Sequence, residues 1–119
     1  MALNKRKIGS DYEERACEFL KKLGFMILER NFRNRTGEID IIARDGRFIS
    51  FIEVKYRSSL NTGFPSEAVN LRKQQKIINT SRYYLYTHHL SEAYVRYDVV
   101  EICGNETRII KNAFGGGMI

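Results

Sequence analysis

The stretch from residue 36 to 57, TGEIDIIARDGRFISFIEVKYR, leaves this chain few alternatives. Two alternating apolar runs flank Asp45-Gly46, and a type I′ hairpin turn needs two central residues that accept positive φ, as Asp and Gly do. Strand alternation puts Glu38, Asp40, Ile42 and Arg44 on one face, and Ile39, Ile41 and Ala43 on the other. With Asp45-Gly46 as the turn, Arg44 faces Arg47, Ile42 faces Ile49, Asp40 faces Phe51 and Glu38 faces Glu53. Opposed residues share a face, so Asp40, Glu53 and Lys55 project together. Ile39, Ile41, Ala43, Phe48, Ile52 and Val54, interrupted only by Ser50, form the core face.

This register sets Asp40 diagonal to Glu53, roughly 7–8 Å away along the backbone, a span that two carboxylates can close on one cation. Lys55 lies one step further along the same face. Hard oxygen ligands suit Mg²⁺, and a nearby ammonium offsets the negative charge that develops when a phosphodiester is attacked. An E-x-K on its own is weak, because paired charges are common on strand surfaces. Here Glu53-Val54-Lys55 closes a largely apolar run, and charges at the end of a buried strand call for a reason.

Asp40 followed across a hairpin by Glu53-Val54-Lys55 resembles the D…(D/E)xK motif of restriction-endonuclease-like nucleases. More narrowly, the chain resembles the YraN-like family of small bacterial endonuclease-like proteins. The matching pieces run in order: Gly9, Glu13-Glu14-Arg15-Ala16, Arg30-Asn31-Phe32-Arg33, Gly37-Glu38-Ile39-Asp40 and Phe51 to Arg57. They continue through Glu67-Ala68-Val69, Lys73-Gln74, Tyr84-Leu85, Arg96 to Val100 and Asn112-Ala113-Phe114. Each piece is loose, but their collinearity over residues 9–114 is specific. Tyr12 departs from the pattern, since the family usually has a glycine there. The resemblance implies a restriction-endonuclease-like α/β fold and Mg²⁺ or Mn²⁺ held by Asp40 and Glu53, with Lys55 catalytic. It also implies that Glu13 reaches the acid cluster from the first helix, and that Lys73 and Gln74 support the site from the helix after the hairpin. Glu38 is a further supporting acid.

Ahead of the hairpin, residues 1–8 read as a flexible basic arm, and Ser10 as the start of a helix whose apolar stripe is Tyr12, Ala16, Phe19, Leu20 and Leu23. Gly24 sits where a glycine ends a helix. Two readings of Glu13 stand side by side: the fourth active-site acid, or half of a Ser10–Glu13 capping box. Phe25 to Arg30 reads as a strand with Met26-Ile27-Leu28 as its buried middle. Asn31 to Thr36 reads as a basic loop, so that Arg30, Arg33 and Arg35 are candidate phosphate contacts, as is Arg57 after the hairpin.

Beyond the hairpin, Ser58 to Ser66 is rich in turn-formers and reads as a loop beside the site. Asn70 caps a second helix, reaching about Tyr86, with Ile77, Ile78, Ser81 and Leu85 inward and Arg72, Lys73, Lys76 and Arg82 as an outer basic stripe. Strands follow over Tyr94–Ile102 and Arg108–Lys111, with Arg96 and Asp98 sharing a face, and residues 115–119 form an unfolded tail. The order is αβββαββ, one mixed sheet with helices against it.

A chain of 119 residues makes one domain, and its net charge of +6 favours anionic partners, nucleic acid first and anionic membrane second, with DNA the nucleic acid that the resemblance implies. Cys17 and Cys103 show no metal-ligand spacing and read as reduced thiols, and adjacent His88-His89 do not make a zinc site. No apolar run approaches a membrane span, and the basic N-terminus lacks the apolar segment of a signal peptide, so the expected location is cytoplasmic and no membrane partner is expected. A homodimer is the expected assembly, by resemblance. The rival reading is a non-catalytic nucleic-acid-binding or scaffolding domain that retains the nuclease fold. Retention of Asp40, Glu53 and Lys55 together favours activity over it.

Overall fold

The computed structural model describes residues 5–58 and 69–115, with side chains from residue 11 onward. Its elements are α1 (Lys5–Lys22), β1 (Met26–Asn34), β2 (Gly37–Asp45), β3 (Phe48–Tyr56), α2 (Leu71–Thr87), β4 (Tyr94–Cys103) and β5 (Glu106–Ile110). The strands form one sheet in the order β1-β2-β3-β4-β5. All neighbours are antiparallel except β3 and β4, which α2 joins as a crossover. The expected mixed α/β domain therefore forms, with α1 on one face of the sheet and α2 on the other.

The helix ends follow from local chemistry. At the end of α1, the Phe25 N–H donates to the Leu20 carbonyl and the Gly24 N–H to the Lys21 carbonyl, both at 3.0 Å. Gly24 has φ +97°. This is a Schellman motif, and its apolar contact between Leu20 and Phe25 joins the α1-side core. Asn70 caps α2, its side-chain oxygen accepting from the Lys73 N–H at 2.9 Å. The other end of α1 differs from expectation. The helix begins at Lys5, so Ser10 lies inside it and the Ser10–Glu13 capping box does not form. Lys5 to Ile8 belong to α1 rather than to a flexible arm, and residues 1–4 lie outside the described residues.

The hairpin also corrects its expected register. Asp45 pairs with Phe48, Arg44 with Ile49, Ala43 with Ser50, Ile42 with Phe51 and Ile41 with Ile52. The turn is thus Gly46-Arg47, and only Gly46 has positive φ (+60°), the pattern of a type II′ turn. Asp45 is held in the strand because its carboxylate accepts from Arg96 at 2.7 Å and Lys111 at 3.2 Å. The shift is two residues, so the faces of the paired segment Ile41–Asp45 are kept while its partners change, but Ile39, expected beside Ile41 and Ala43, packs in the α2-side core instead. Both faces are core, not one. Ile42, Ile49 and Phe51 pack with Ile77 and Tyr84 of α2, while Ile41, Ala43 and Ile52 pack with Ala16, Cys17 and Leu20 of α1.

Residues 31–34 extend β1 instead of forming a loop. The turn is Arg35-Thr36, closed by the Asn34 carboxamide oxygen accepting from the Thr36 N–H at 2.8 Å. As an edge strand, β1 exposes Met26 (62%) and Leu28 (36%), so this segment is not a buried middle. A Cβ on Gly37 would stand 3.1 Å from the Thr80 Oγ1, so glycine lets α2 settle closely over the β1–β2 turn. The loop expected over Ser58–Ser66 lies, from residue 59 onward, outside the described residues, as do residues 116–119.

Candidate active site

Pairing between β2 and β3 stops at Ile41 and Ile52, while β3 continues beside β4 through Tyr56 and β2 continues beside β1 through Gly37. The sheet therefore forks, and continuing the β2–β3 register by one rung places Asp40 beside Glu53. The Asp40 carboxylate spans the fork, accepting from the Val54 N–H at 2.9 Å in place of a ladder bond. The diagonal arrangement expected for this pair gives way to a directly opposed one. Glu38 is not opposite Glu53. It pairs with Arg33 across β1–β2, at 3.3 Å, though it still lines the cavity.

That cavity, about 250 Å³, is lined by Gly37, Glu38, Asp40, Glu53, Lys73, Lys76 and Ile77. Glu53 is 5% exposed, deeply buried for a carboxylate. The Lys73 Nζ lies 2.5 Å from the Glu53 Oε1, and the Lys55 Nζ lies 4.0 Å from the same oxygen. Lys73 thus turns inward and leaves the outer stripe of α2, while Lys76 is exposed at the cavity and Arg72 and Arg82 are exposed on the helix. Gln74 donates to the Val69 carbonyl at 2.7 Å and supports the start of α2 from outside the cavity lining.

Burial, then the neighbouring Glu53 charge, pushes the Asp40 carboxyl up to about 7, against the Val54 N–H and Lys73, which favour ionisation. For Lys73, burial works to lower the ammonium, but its bond to Glu53 and the charges of Glu53, Asp40 and Glu38 together outweigh that and hold it above its usual range.

Glu13 approaches from α1. It accepts from the Asn31 side-chain amide at 3.0 Å, and its charge contributes to raising Asp40. With the capping box excluded, Glu13 has no helix-end role. Asn31, read as a loop residue, has no sequence signal that reveals its contact with Glu13. The stack of Tyr12 on Tyr56, with centroids 5.0 Å apart, was likewise invisible to strand and helix periodicity.

The arginines divide. Arg33 and Arg35 are exposed near the β1–β2 turn, beside the cavity residues Gly37 and Glu38. Arg30 is on the α1 side and binds Glu14 at 2.8 Å. Arg57 binds the buried Glu101 at 2.8 Å, an acid it shares with Arg108. Neither Arg30 nor Arg57 is brought to the cavity.

Among the described residues, no group of three His, Cys, Asp or Glu converges as a ready-made metal site. Mg²⁺ commonly takes one or two protein carboxylates and completes its shell with water and phosphate oxygens, so the Asp40–Glu53 pair fits it without a third. Cys17 and Cys103 are free thiols, and His88 stacks on Tyr84 at the end of α2. No described helix is long and apolar enough to cross a membrane.

The sheet between two helices, with acids gathered at its fork, defines the class: a mixed α/β protein with a polar, carboxylate-centred cleft. Residues 12–102 match the family described as "Uncharacterised protein family UPF0102", and the chain belongs to that family, the YraN-like one. A UPF0102 protein of Lachnoclostridium phytofermentans is 46% identical over 113 residues, covering 94% of this chain and 96% of its own. One from Caldicellulosiruptor saccharolyticus is 45% identical, covering 94% of this chain and 100% of its own. One from Persephonella marina is 43% identical, covering 89% and 91%.

Proposed function

We propose that this protein is a metal-dependent endonuclease of the restriction-endonuclease-like fold that hydrolyses DNA phosphodiester bonds. The observation that carries this reading is the opposed Asp40–Glu53 pair at the sheet fork, with two lysine ammoniums within 4.0 Å of Glu53. The antiparallel β1–β2–β3 meander, crossing through α2 to a parallel β4, supports the fold assignment. Asp40 and Glu53 would hold Mg²⁺ or Mn²⁺, with Glu13 contributing only its charge from the α1 side. When bound, such an ion supplies Lewis-acid polarisation of the phosphoryl oxygen. Lys55, 4.0 Å from Glu53, would offset charge developing on the phosphate, and Lys73 forms an ion pair with Glu53. Lys76 in the cavity lining, Arg33 and Arg35 at the adjoining β1–β2 turn and the exposed Arg72 of α2 would bind the backbone of the substrate, which fixes position rather than sequence.

The direct test incubates pure protein with linear, nicked and branched DNA, with and without Mg²⁺ or Mn²⁺. Metal-dependent products on at least one substrate are expected. Binding without cleavage across the whole panel would instead favour the non-catalytic nucleic-acid-binding reading. Affinity should fall with salt, with a slope of roughly −3 to −4 if these four cations each neutralise one phosphate. A salt-indifferent affinity would remove them from the interface.

The raised Asp40 carboxyl links the site to stability. A folded-state value of about 7, above the ordinary 3.8, means that the folded protein holds a proton the unfolded chain has released. Its stabilising contribution is complete below about pH 3.8 and is lost as pH rises to about 7. Asp40→Asn should therefore be more stable than wild type at pH 8, by on the order of a few kcal/mol, with the advantage shrinking at pH 5. Mg²⁺ or Mn²⁺ should raise the wild-type melting temperature at pH 8 and leave the variant unmoved. Equal metal shifts in both proteins would place the cation elsewhere.

A further inference from the structure

α2 presents to solvent a face that neither core uses. Its 17 residues, LRKQQKIINTSRYYLYT, include Arg72, Lys73, Lys76 and Arg82 and not one acid. Arg72, Lys76, Asn79, Tyr83 and Tyr86 recur at alternating steps of four and three, which keeps them on one side of a helix. All five are exposed among the described residues, Tyr83 at 52% and Tyr86 at 75%. Lys76 lines the Asp40–Glu53 cavity, so the stripe runs from that cavity along the helix to the two tyrosines.

The tyrosines lie roughly 10 and 15 Å from Lys76 along the helix axis, at 1.5 Å per residue. A stacked nucleic-acid strand advances about 3.4 Å per nucleotide, so bases three to four steps from a phosphate at the cavity come over the rings. Tyr83 is propped from beneath: its ring lies 6.3 Å from that of Phe32, which packs edge-on against Tyr84 at 5.2 Å. The β1–β2 turn borders the stripe near the cavity, since a Cβ on Gly37 would stand 3.5 Å from the Lys76 Cβ. Singly scattered aromatics on a surface need no explanation. Two tyrosines aligned with cations on an acid-free helix that opens onto a carboxylate cleft do.

We infer that this face of α2 is a track for unpaired DNA, along which a single strand is led to the cleft. Its phosphates meet Arg72 and Lys76, and its bases stack on Tyr83 and Tyr86. The inference rests on the nuclease reading for what happens to the strand at the cavity, and on α2 alone for how the strand is held. The rings decide between the two forms of DNA. A duplex keeps its base faces covered and offers this surface only phosphates, from which a phenol ring gains little. An unpaired base offers a free π-face, and stacking on it is indifferent to sequence. The acid-free helix supplies the positive potential that draws a polyanion to those rings.

The test measures fluorescence anisotropy of labelled oligodeoxythymidine, which does not self-pair, and of a duplex of equal length, both in chelator so that no metal is bound. Tyr86→Ala should weaken binding of the single strand about fivefold or more and leave duplex affinity unchanged. Tyr83→Ala should do the same, and Tyr86→Phe, which keeps the ring, should bind as wild type does. The chain has no tryptophan, so Tyr86→Trp introduces a single reporter. Its emission should be quenched by oligodeoxythymidine and not by the duplex. Wild-type affinity for the single strand in Tyr86→Ala overturns the inference, as does an equal loss on both probes, which would mark a contact with the backbone. Absence of any binding to oligodeoxythymidine also overturns it and leaves the face to a protein partner. Should Tyr83→Ala not fold because Phe32 loses its neighbour, the exposed Tyr86 carries the test through its three variants. Because metal is absent, the track and the cleft fail separately. A protein that cleaves DNA in Mg²⁺, yet binds oligodeoxythymidine equally well as Tyr86→Ala, has the nuclease site without the track.

Discussion

Glu53→Gln is expected to abolish the proposed cleavage while the protein stays folded and retains any DNA binding. Loss of a single preorganised electrostatic contributor in a water-poor site costs on the order of 10²–10³-fold, and a charged metal-holding group stands at the upper end or beyond. The side chain is 5% exposed and lies 2.5 Å from the Lys73 ammonium, and an amide of the same shape preserves packing and that hydrogen bond. The fold should therefore survive where turnover does not. Asp40→Asn should match it in turnover and bind DNA at least as well as wild type, since a carboxylate facing the phosphates has gone. Lys55→Ala should lose kcat with little change in DNA affinity, the mark of a contact made chiefly in the transition state. Wild-type cleavage of a true substrate by all three variants would mean that the chemistry happens elsewhere.

Asp98→Ala is expected to cause a large loss of stability. Asp98 is fully buried and accepts from Ser50, from the Arg96 Nε at 2.9 Å and from the Asn112 N–H at 2.8 Å. Arg96 is nearly as buried, stacks over Phe25 and Phe48, and reaches on to Asp45. Removing the aspartate leaves a buried guanidinium short of one counter-charge and two donors without acceptors. Breaking a buried pair in this way costs about 3–5 kcal/mol, which in a domain of this size lowers Tm by roughly 10–20 °C. Asp45→Ala should cost less, because that carboxylate is partly solvated and Asp98 still holds Arg96. A fall of less than a degree or two for Asp98→Ala in thermal unfolding would show that the network carries no net stability.

The residues that were legible in advance share one property: their signals are local. Strand parity groups Asp40 with Glu53 and Lys55, and survives a two-residue error in register because the side-chain period is two. The caps at Asn70 and Gly24 are satisfied within a few residues of chain. Arg96 and Asp98 find each other because they are two apart on one strand.

What the sequence could not determine depends on groups distant along the chain. Whether the turn is Asp45-Gly46 or Gly46-Arg47 is decided by Arg96 and Lys111, which draw Asp45 into the sheet from 51 and 66 residues away. That choice turns a diagonal carboxylate pair into an opposed one. Lys73 reads from helical spacing as an outer residue, and only the approach of α2 over the Gly37 turn directs it onto Glu53. Glu13 satisfies a capping motif on paper, and loses it because the helix continues upstream. Strand alternation gives no sign of the left-handed φ of +55° at Asn31 within β1, where Arg30 turns to Glu14 of α1 and Phe32 packs against the α2-side core. Capping and alternation act over a turn or a strand and are written in the sequence. Register and helix approach are settled by burial against distant partners, whose free energy exists only once the sheet and both helices are assembled.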